Sequence, residues 1–234
     1  MSGWWIADWW NHAHGPVIVV SWIVWVIGSI VLHELAHGWA ALRLGDPTPR
    51  VTGHMTWNPL VHMGQMSLIV FALVGIAWGM MPVDPTRLRG RHGDALVSVA
   101  GPGMNLVLAI VTILGGGMWM GLAGGVPEPL RTNLMIFLFV GAALNIVLMM
   151  LNLFPVPPLD GSRIIASFSP GYERMLSTPN GRWVALGIML MVFFLGGPYI
   201  FFGGFLAAGA GFGVIGAALN AATGMGIPFD ALPF

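Results

Sequence analysis

The chain has 234 residues, 56% of them apolar and 8% charged, with a net charge of zero and a mean hydropathy of +0.82. Soluble domains carry about 25% charged residues, so this composition describes a chain that crosses a membrane repeatedly. At roughly 20 residues per span there is room for about five or six crossings and no appended soluble domain. All nine basic residues are arginines, none clustered among aromatics, which argues against nucleic acid as a partner; the lack of cysteine excludes disulfides and thiolate-held metals.

Residues 1–14 place Trp4, Trp5, Trp9 and Trp10 beside Asp8, Asn11, His12 and His14, a mixture suited to the headgroup level. No basic start or small-residue cleavage site precedes the first apolar run, so the first helix is expected to be retained. That run, residues 17–42, would be about 39 Å long as a helix and closes on Arg43, Gly45 and Pro47. Within it stands His33-Glu34-Leu35-Ala36-His37.

Over residues 50–57, Val51, Gly53, Met55 and Trp57 alternate with Thr52, His54 and Thr56, which predicts a short strand closed by Asn58-Pro59. Residues 66–81 are apolar but only 16 long, ending at Pro82, and read as a re-entrant hairpin. Two further spans follow. Residues 94–123 carry Gly101-Pro102-Gly103-Met104-Asn105 near their start, and residues 130–154 end in Pro155, Pro157 and Pro158 before Leu159-Asp160-Gly161. The last apolar block begins at Trp183 and is interrupted by Gly196-Gly197-Pro198, leaving one kinked span or two. If residues 66–81 return to their own side, eight arginines (Arg43, Arg50, Arg87, Arg89, Arg91, Arg163, Arg174, Arg182) share one face and Arg131 alone takes the other. The positive-inside rule then makes the richer face cytoplasmic and puts the N-terminus outside.

Two histidines four apart on a helix lie on one face, so both imidazoles can grip one metal ion while the glutamate between them reaches its water. Ionisable groups in hydrocarbon cost several kcal/mol unless satisfied, so their presence here points to function. A catalytic zinc site usually has three protein ligands and an open position. Asp160 is the acidic residue whose setting stands out, after a proline-broken segment that must bend; spacing alone leaves open that it caps a helix starting at Ser162.

Three blocks, HELAHGWAALRLGDPTPR with its following NPLVH, AGPGMN, and NLFPVPPLDGSRI, together resemble the site-2 proteases, intramembrane zinc metalloproteases, over most of residues 32–165. The resemblance is to the short subgroup without PDZ or CBS modules. It implies one Zn2+ per chain held by His33, His37 and Asp160, Glu34 as catalytic acid and base, Asn152 near the scissile peptide, and Asn105 holding the core helices together. Two positions depart from the subgroup. His62 is followed by Met63 and Gly64 rather than soon by an acidic residue, and His54 stands where arginine is common; both histidines read as loop or interfacial residues, and His12, His14 and His92 as solvated.

The expected fold is an all-α polytopic membrane protein, a site-2 protease-like helical core with a short β/re-entrant element after the HExxH helix. Its single domain, residues 1–234, divides into an interfacial segment (1–15), a catalytic core (17–168) and C-terminal spans (183–234). The expected substrate is a membrane protein with a transmembrane helix, cleaved in a prokaryotic plasma membrane with the lipid bilayer as surroundings, the strand edge over residues 50–57 receiving the unwound peptide. Water is expected to enter from the cytoplasmic side, between the histidine helix and residues 155–160. The rival readings are a divalent-metal transporter and a catalytically silent binding protein of the same fold.

Overall fold

Local sequence sets where each helix starts and stops. In the computed structural model, which describes residues 5–223, α1 (Trp5–Trp10) leads into α2 (Gly15–Arg43), begun by Pro16 in its first turn and closed by Arg43. Trp4 and the last residues of the 183–234 segment, from 224 on, lie outside the described residues. At about 1.5 Å per residue α2 is about 43 Å long, more than a bilayer's hydrocarbon core. Its exit turns on Gly45 at φ +100°, where a side chain would also strike Arg89.

The predicted strand over residues 50–57 does not form, and no strand occurs among the described residues. Asp46 accepts the Thr48 backbone N–H (3.0 Å) and hydroxyl (2.5 Å), and Pro47 and Pro49 fix helical φ, so the chain turns into the short α3 (Thr48–Val51). Gly53 at φ +74° ends it, and Val51 and Trp57 stay 80% and 68% exposed rather than sharing a buried face. The alternation was real, but local capping overrode it.

Asn58 caps α4 (Pro59–Val74) by accepting the Leu60 N–H, and the helix is broken at Gly64 (φ 67°, ψ 169°). Gly75, at φ 82°, reverses the chain. An extended segment then runs back along α4: the Ser67 hydroxyl both accepts from Trp78 N (2.9 Å) and donates to Trp78 O (2.7 Å), and Met80 N donates to the His62 carbonyl (2.9 Å). After a 3-10 turn at Pro85–Arg87 come α5 (Gly93–Leu122), with Pro102 inside it, and α6 (Leu130–Asn152).

Helix α6 is the central element. Ile136, Val140 and Leu144, each a turn apart, face Val26 and Ile30 of α2 and Met63 and Phe71 of α4, while Met135, Phe139, Ala142 and Ala143 meet Ala208 and Phe212 of α10. Gly116 of α5 makes room for the Phe212 ring. Prolines end α6, and α7 (Asp160–Phe168) and α8 (Pro170–Ser177) follow. The final block is one continuous helical rod: α9 (Pro179–Met191), a π turn at Val192–Gly196, and α10 (Gly197–Thr223). The π turn lies where Pro198 lacks an N–H to give, so the interruption at Gly196-Gly197-Pro198 bends the hydrogen-bond ladder without ending the helix.

Among the described residues, four stretches are long and apolar enough to cross a membrane: Gly15–Arg43, Gly93–Gly121, Leu130–Asn152 and Pro179–Leu219. The protein is a multi-pass, all-helical membrane protein. Helix α4, at 16 residues, falls short of that length.

Candidate metal centre

Three helices meet around His33 and His37. The two residues stand one turn apart on the buried face of α2, each 7% exposed. Against them lies the start of α5, where Gly101 has no side chain to interpose; a Cβ there would come within 3.0 Å of both Nε2 atoms. From below comes Asp160, the first residue of α7. Leu159, in extended conformation, precedes it, and Gly161 lets the new helix begin directly against the Leu153 and Phe154 carbonyls.

Asp160 does not cap this helix. Its Oδ2 lies 3.2 Å from His33 Nε2 and 3.3 Å from His37 Nε2, and the two Nε2 atoms are 3.0 Å apart. The backbone carbonyl of Val97 accepts from His37 Nδ1 at 2.7 Å, which puts that ring's proton on Nδ1 and leaves the Nε2 lone pair facing inward. Asn105 Oδ1 stands 2.6 Å from His33 Nδ1. Two imidazole nitrogens and a carboxylate oxygen thus converge, a donor set that suits a cation.

The residues fit zinc. Tetrahedral ligands at about 2.0–2.1 Å from the ion lie roughly 3.3 Å from one another, close to the edges of this triangle, and the Gly101 cradle keeps the space beside it free. His33, His37 and Asp160 form a group that could hold a metal ion.

Glu34 is buried at 7% exposure beside the triad, and Gly79 of the returning segment closes over it: a Cβ at Gly79 would meet Glu34 Oε1 at 2.5 Å and Ile30 Cγ2 at 2.7 Å. Inward-facing Ala77, Gly79 and Met81 alternate with Ile76, Trp78 and Met80, which are 38%, 48% and 65% exposed. The backbone groups of Ala77, Gly79 and Met81 make no hydrogen bond within the described residues.

Asn105 joins the triad, being fully buried between His33 and Asn145 of α6. Asn152, the last residue of α6, is not joined to it; its amide donates to the Leu148 carbonyl of its own helix. His54 and His62 also stand apart. His62 is buried in the first turn of α4, its Nε2 donating to the Thr56 carbonyl, and burial lowers its pKa. His92 is not solvated as expected but half-buried, stacked on Phe168 at 4.4 Å. His12 and His14 are exposed.

The site is braced from the rim. Arg163, one turn beyond Asp160, pairs with Asp94 in the first turn of α5 at 2.5 Å. Asp46 links the exit of α2 to the loop before α5 through the Asp84 N–H (2.8 Å). Burial pushes the Asp46 carboxyl up, but the Thr48 hydroxyl and the N–H groups of Asp84 and Thr48 outweigh it and hold it below the ordinary carboxylate range.

Comparison with known proteins decides the family. The model of "Peptidase family M50" matches residues 21–128 and 120–196. The chain belongs to peptidase family M50. This is the site-2 protease family, and the pentad, the Gly101 cradle and Asp160 all fall within the matched residues. The M50 chain is 34% identical over 166 residues to "Putative zinc metalloprotease YwhC" of Bacillus subtilis, covering 70% of this chain and 74% of that protein. It is 28% identical over 184 residues to "Putative zinc metalloprotease Rip2" of Mycolicibacterium smegmatis, covering 75% of this chain and 66% of that protein. Against "Zinc metalloprotease MJ0392" of Methanocaldococcus jannaschii the identity is 24% over 169 residues, covering 72% of this chain and 40% of that one. No solved structure matches.

Sequence reading missed Asn145, Gly79 and the Arg163–Asp94 brace. An asparagine in the middle of an apolar span was the visible signal for the first; the others depend on contacts between distant segments.

Proposed function

We propose that this M50 protein is an intramembrane zinc endopeptidase that hydrolyses a peptide bond within or beside a transmembrane helix of a membrane-protein substrate. The observation that carries the reading is the convergence of His33, His37 and Asp160 within 3.3 Å, beside Glu34, with the two histidines on a membrane-length helix. When bound there, zinc supplies Lewis acidity, which polarises a peptide carbonyl and lets water attack near neutral pH. Glu34 takes the proton from the attacking water and passes it to the leaving amine.

A transmembrane helix hides its carbonyls behind its own hydrogen bonds and must unwind before cleavage. The extended segment 76–81 supports a route for this. It runs beside Glu34 and leaves the backbone groups of Ala77, Gly79 and Met81 unpaired, an edge on which an unwound peptide exchanges helix bonds for bonds to the enzyme. Asn152, whose Oδ1 takes no hydrogen bond from a described residue, is assigned a place near the scissile peptide. Arg89 N donates to Leu44 O, so the stretch between the exit of α2 and the loop before α5 begins and ends at one place, which supports the arginine-rich face as a single cytoplasmic face and the active site opening toward it.

A transporter needs polar groups along a path. Away from their end turns, the described residues of the four spans carry no other acidic, basic or histidine side chain. The test is reconstitution in liposomes with a single-pass substrate. Wild type cleaves within the substrate helix and Glu34→Gln does not, while both hold one zinc per chain. Cleavage by Glu34→Gln at the wild-type rate overturns the reading.

A further inference from the structure

The mechanism uses His33 only through Nε2, yet the other side of that ring is tied to a chain of buried amides whose orientation is forced at every link. The Gly141 carbonyl can only accept, so the Asn145 atom 2.8 Å from it is Nδ2. Asn145 therefore presents Oδ1 to Asn105, which must answer with its own Nδ2, at 2.9 Å. That turns Asn105 Oδ1 toward His33 Nδ1, at 2.6 Å. An amide oxygen cannot donate, so Nδ1 carries the proton, and in the neutral ring that metal binding requires Nε2 is left with the lone pair. Asn105 and Asn145 are both 0% exposed, so neither can turn over and be satisfied by water instead.

We infer that Asn145, acting through Asn105, is a positioning residue that fixes the tautomer of His33. The inference rests on the zinc-protease reading for its purpose but not for its test. Helix cohesion alone would need two buried amides to find any partners; it would not need them to point one way and end on a metal ligand. His37 needs no such relay, because the Val97 carbonyl to which it is bonded is already acceptor-only. His33 faces a side chain that can present either end, and a second amide removes that choice. Without Asn145, the Asn105 NH2 loses its acceptor, and rotation to offer it to His33 Nδ1 favours the tautomer whose Nε2 is protonated and blind to metal.

The test is 15N NMR of zinc-free protein labelled at histidine, with the His33 signals identified by their loss in His33→Gln, alongside zinc affinity by competition with a chelator. Wild type shows His33 protonated at Nδ1. Asn145→Leu shifts it toward Nε2–H and weakens zinc binding about 10- to 100-fold, the range for loss of a ligand's hydrogen-bond partner. If the leucine variant does not fold, Asn145→Ala, which adds no bulk between helices, carries the same expectation. Adding Asn105→Asp to either variant restores both readouts, because a carboxylate can only accept from Nδ1; a purely structural role would not be rescued this way. His33 remaining Nδ1–H with undiminished zinc affinity after loss of Asn145 overturns the inference, as does failure of the aspartate to rescue. A wild type that shows the Nδ1–H tautomer, and loses it in the variant, yet binds no zinc sinks the protease reading and leaves the relay standing.

Discussion

Gly101→Ala is the sharpest perturbation the site offers. The added Cβ would lie 2.5 Å from His33 Nε2 and nearer still to His37 Nε2, whereas ordinary contact begins at 3.4 Å, so more than about 0.9 Å must be found between α5 and α2. Metal sites tolerate about 0.2 Å in ligand distance, and neither wall gives easily, since one is the α5 backbone and the other two rings held at Nδ1. Overpacking of this kind costs about 1–3 kcal/mol, which at 1.4 kcal/mol per decade is roughly a 5- to 150-fold loss of zinc affinity. Chelator competition on detergent-solubilised protein reads this directly. Gly103→Ala is the control: two residues along the same helix, its Cβ would meet nothing within 4 Å, and it should bind zinc as wild type does. A Gly101→Ala protein with wild-type zinc affinity would refute the geometry assigned to α2 and α5.

Three other substitutions divide the roles further. Gly79→Ala pushes a methyl into Glu34 and Ile30 and should lower cleavage about tenfold with zinc content unchanged, on the same overpacking cost; lost zinc instead would place the segment wrongly. Arg163→Gln removes a partly exposed ion pair worth about 0.2–1 kcal/mol, so zinc affinity should fall less than about fivefold, and a far larger drop would mean that Arg163 does more than brace α7. Asp46, with its lowered pKa, contributes stability that is complete above the unfolded value of about 3.9 and lost as pH falls through the lower folded value. Asp46→Asn should therefore be less stable than wild type at pH 7, by about 1–3 kcal/mol, with the gap closing in acid; thermal melts at pH 7 and below pH 4 that keep a constant gap would contradict this.

The candidate metal-binding group and the spans were legible because each leaves a local mark: a pentad with helical spacing, long apolar runs, prolines before Asp160. Residues 50–57 misled because strand alternation and loop sequence look alike when Asp46, Pro47 and Pro49 are free to start a helix turn. The extended segment at 76–81 was invisible as such, since what holds it is the Ser67 hydroxyl, eleven residues from Trp78, and the His62 carbonyl, farther back on α4. Asn145 could have been found by asking why an amide sits amid the span Leu130–Asn152, but its partner Asn105 is 40 residues off and only the folded bundle joins them.

Asp160 stands 127 residues after His33. During synthesis the histidines are in the bilayer long before Asp160 leaves the ribosome, so the nascent chain holds only two of the three proposed ligands and no working centre. Competence arrives late and all at once, when α7 docks beneath α2 and α5, and the insertion machinery and neighbouring unfinished helices are spared a protease that is itself half made.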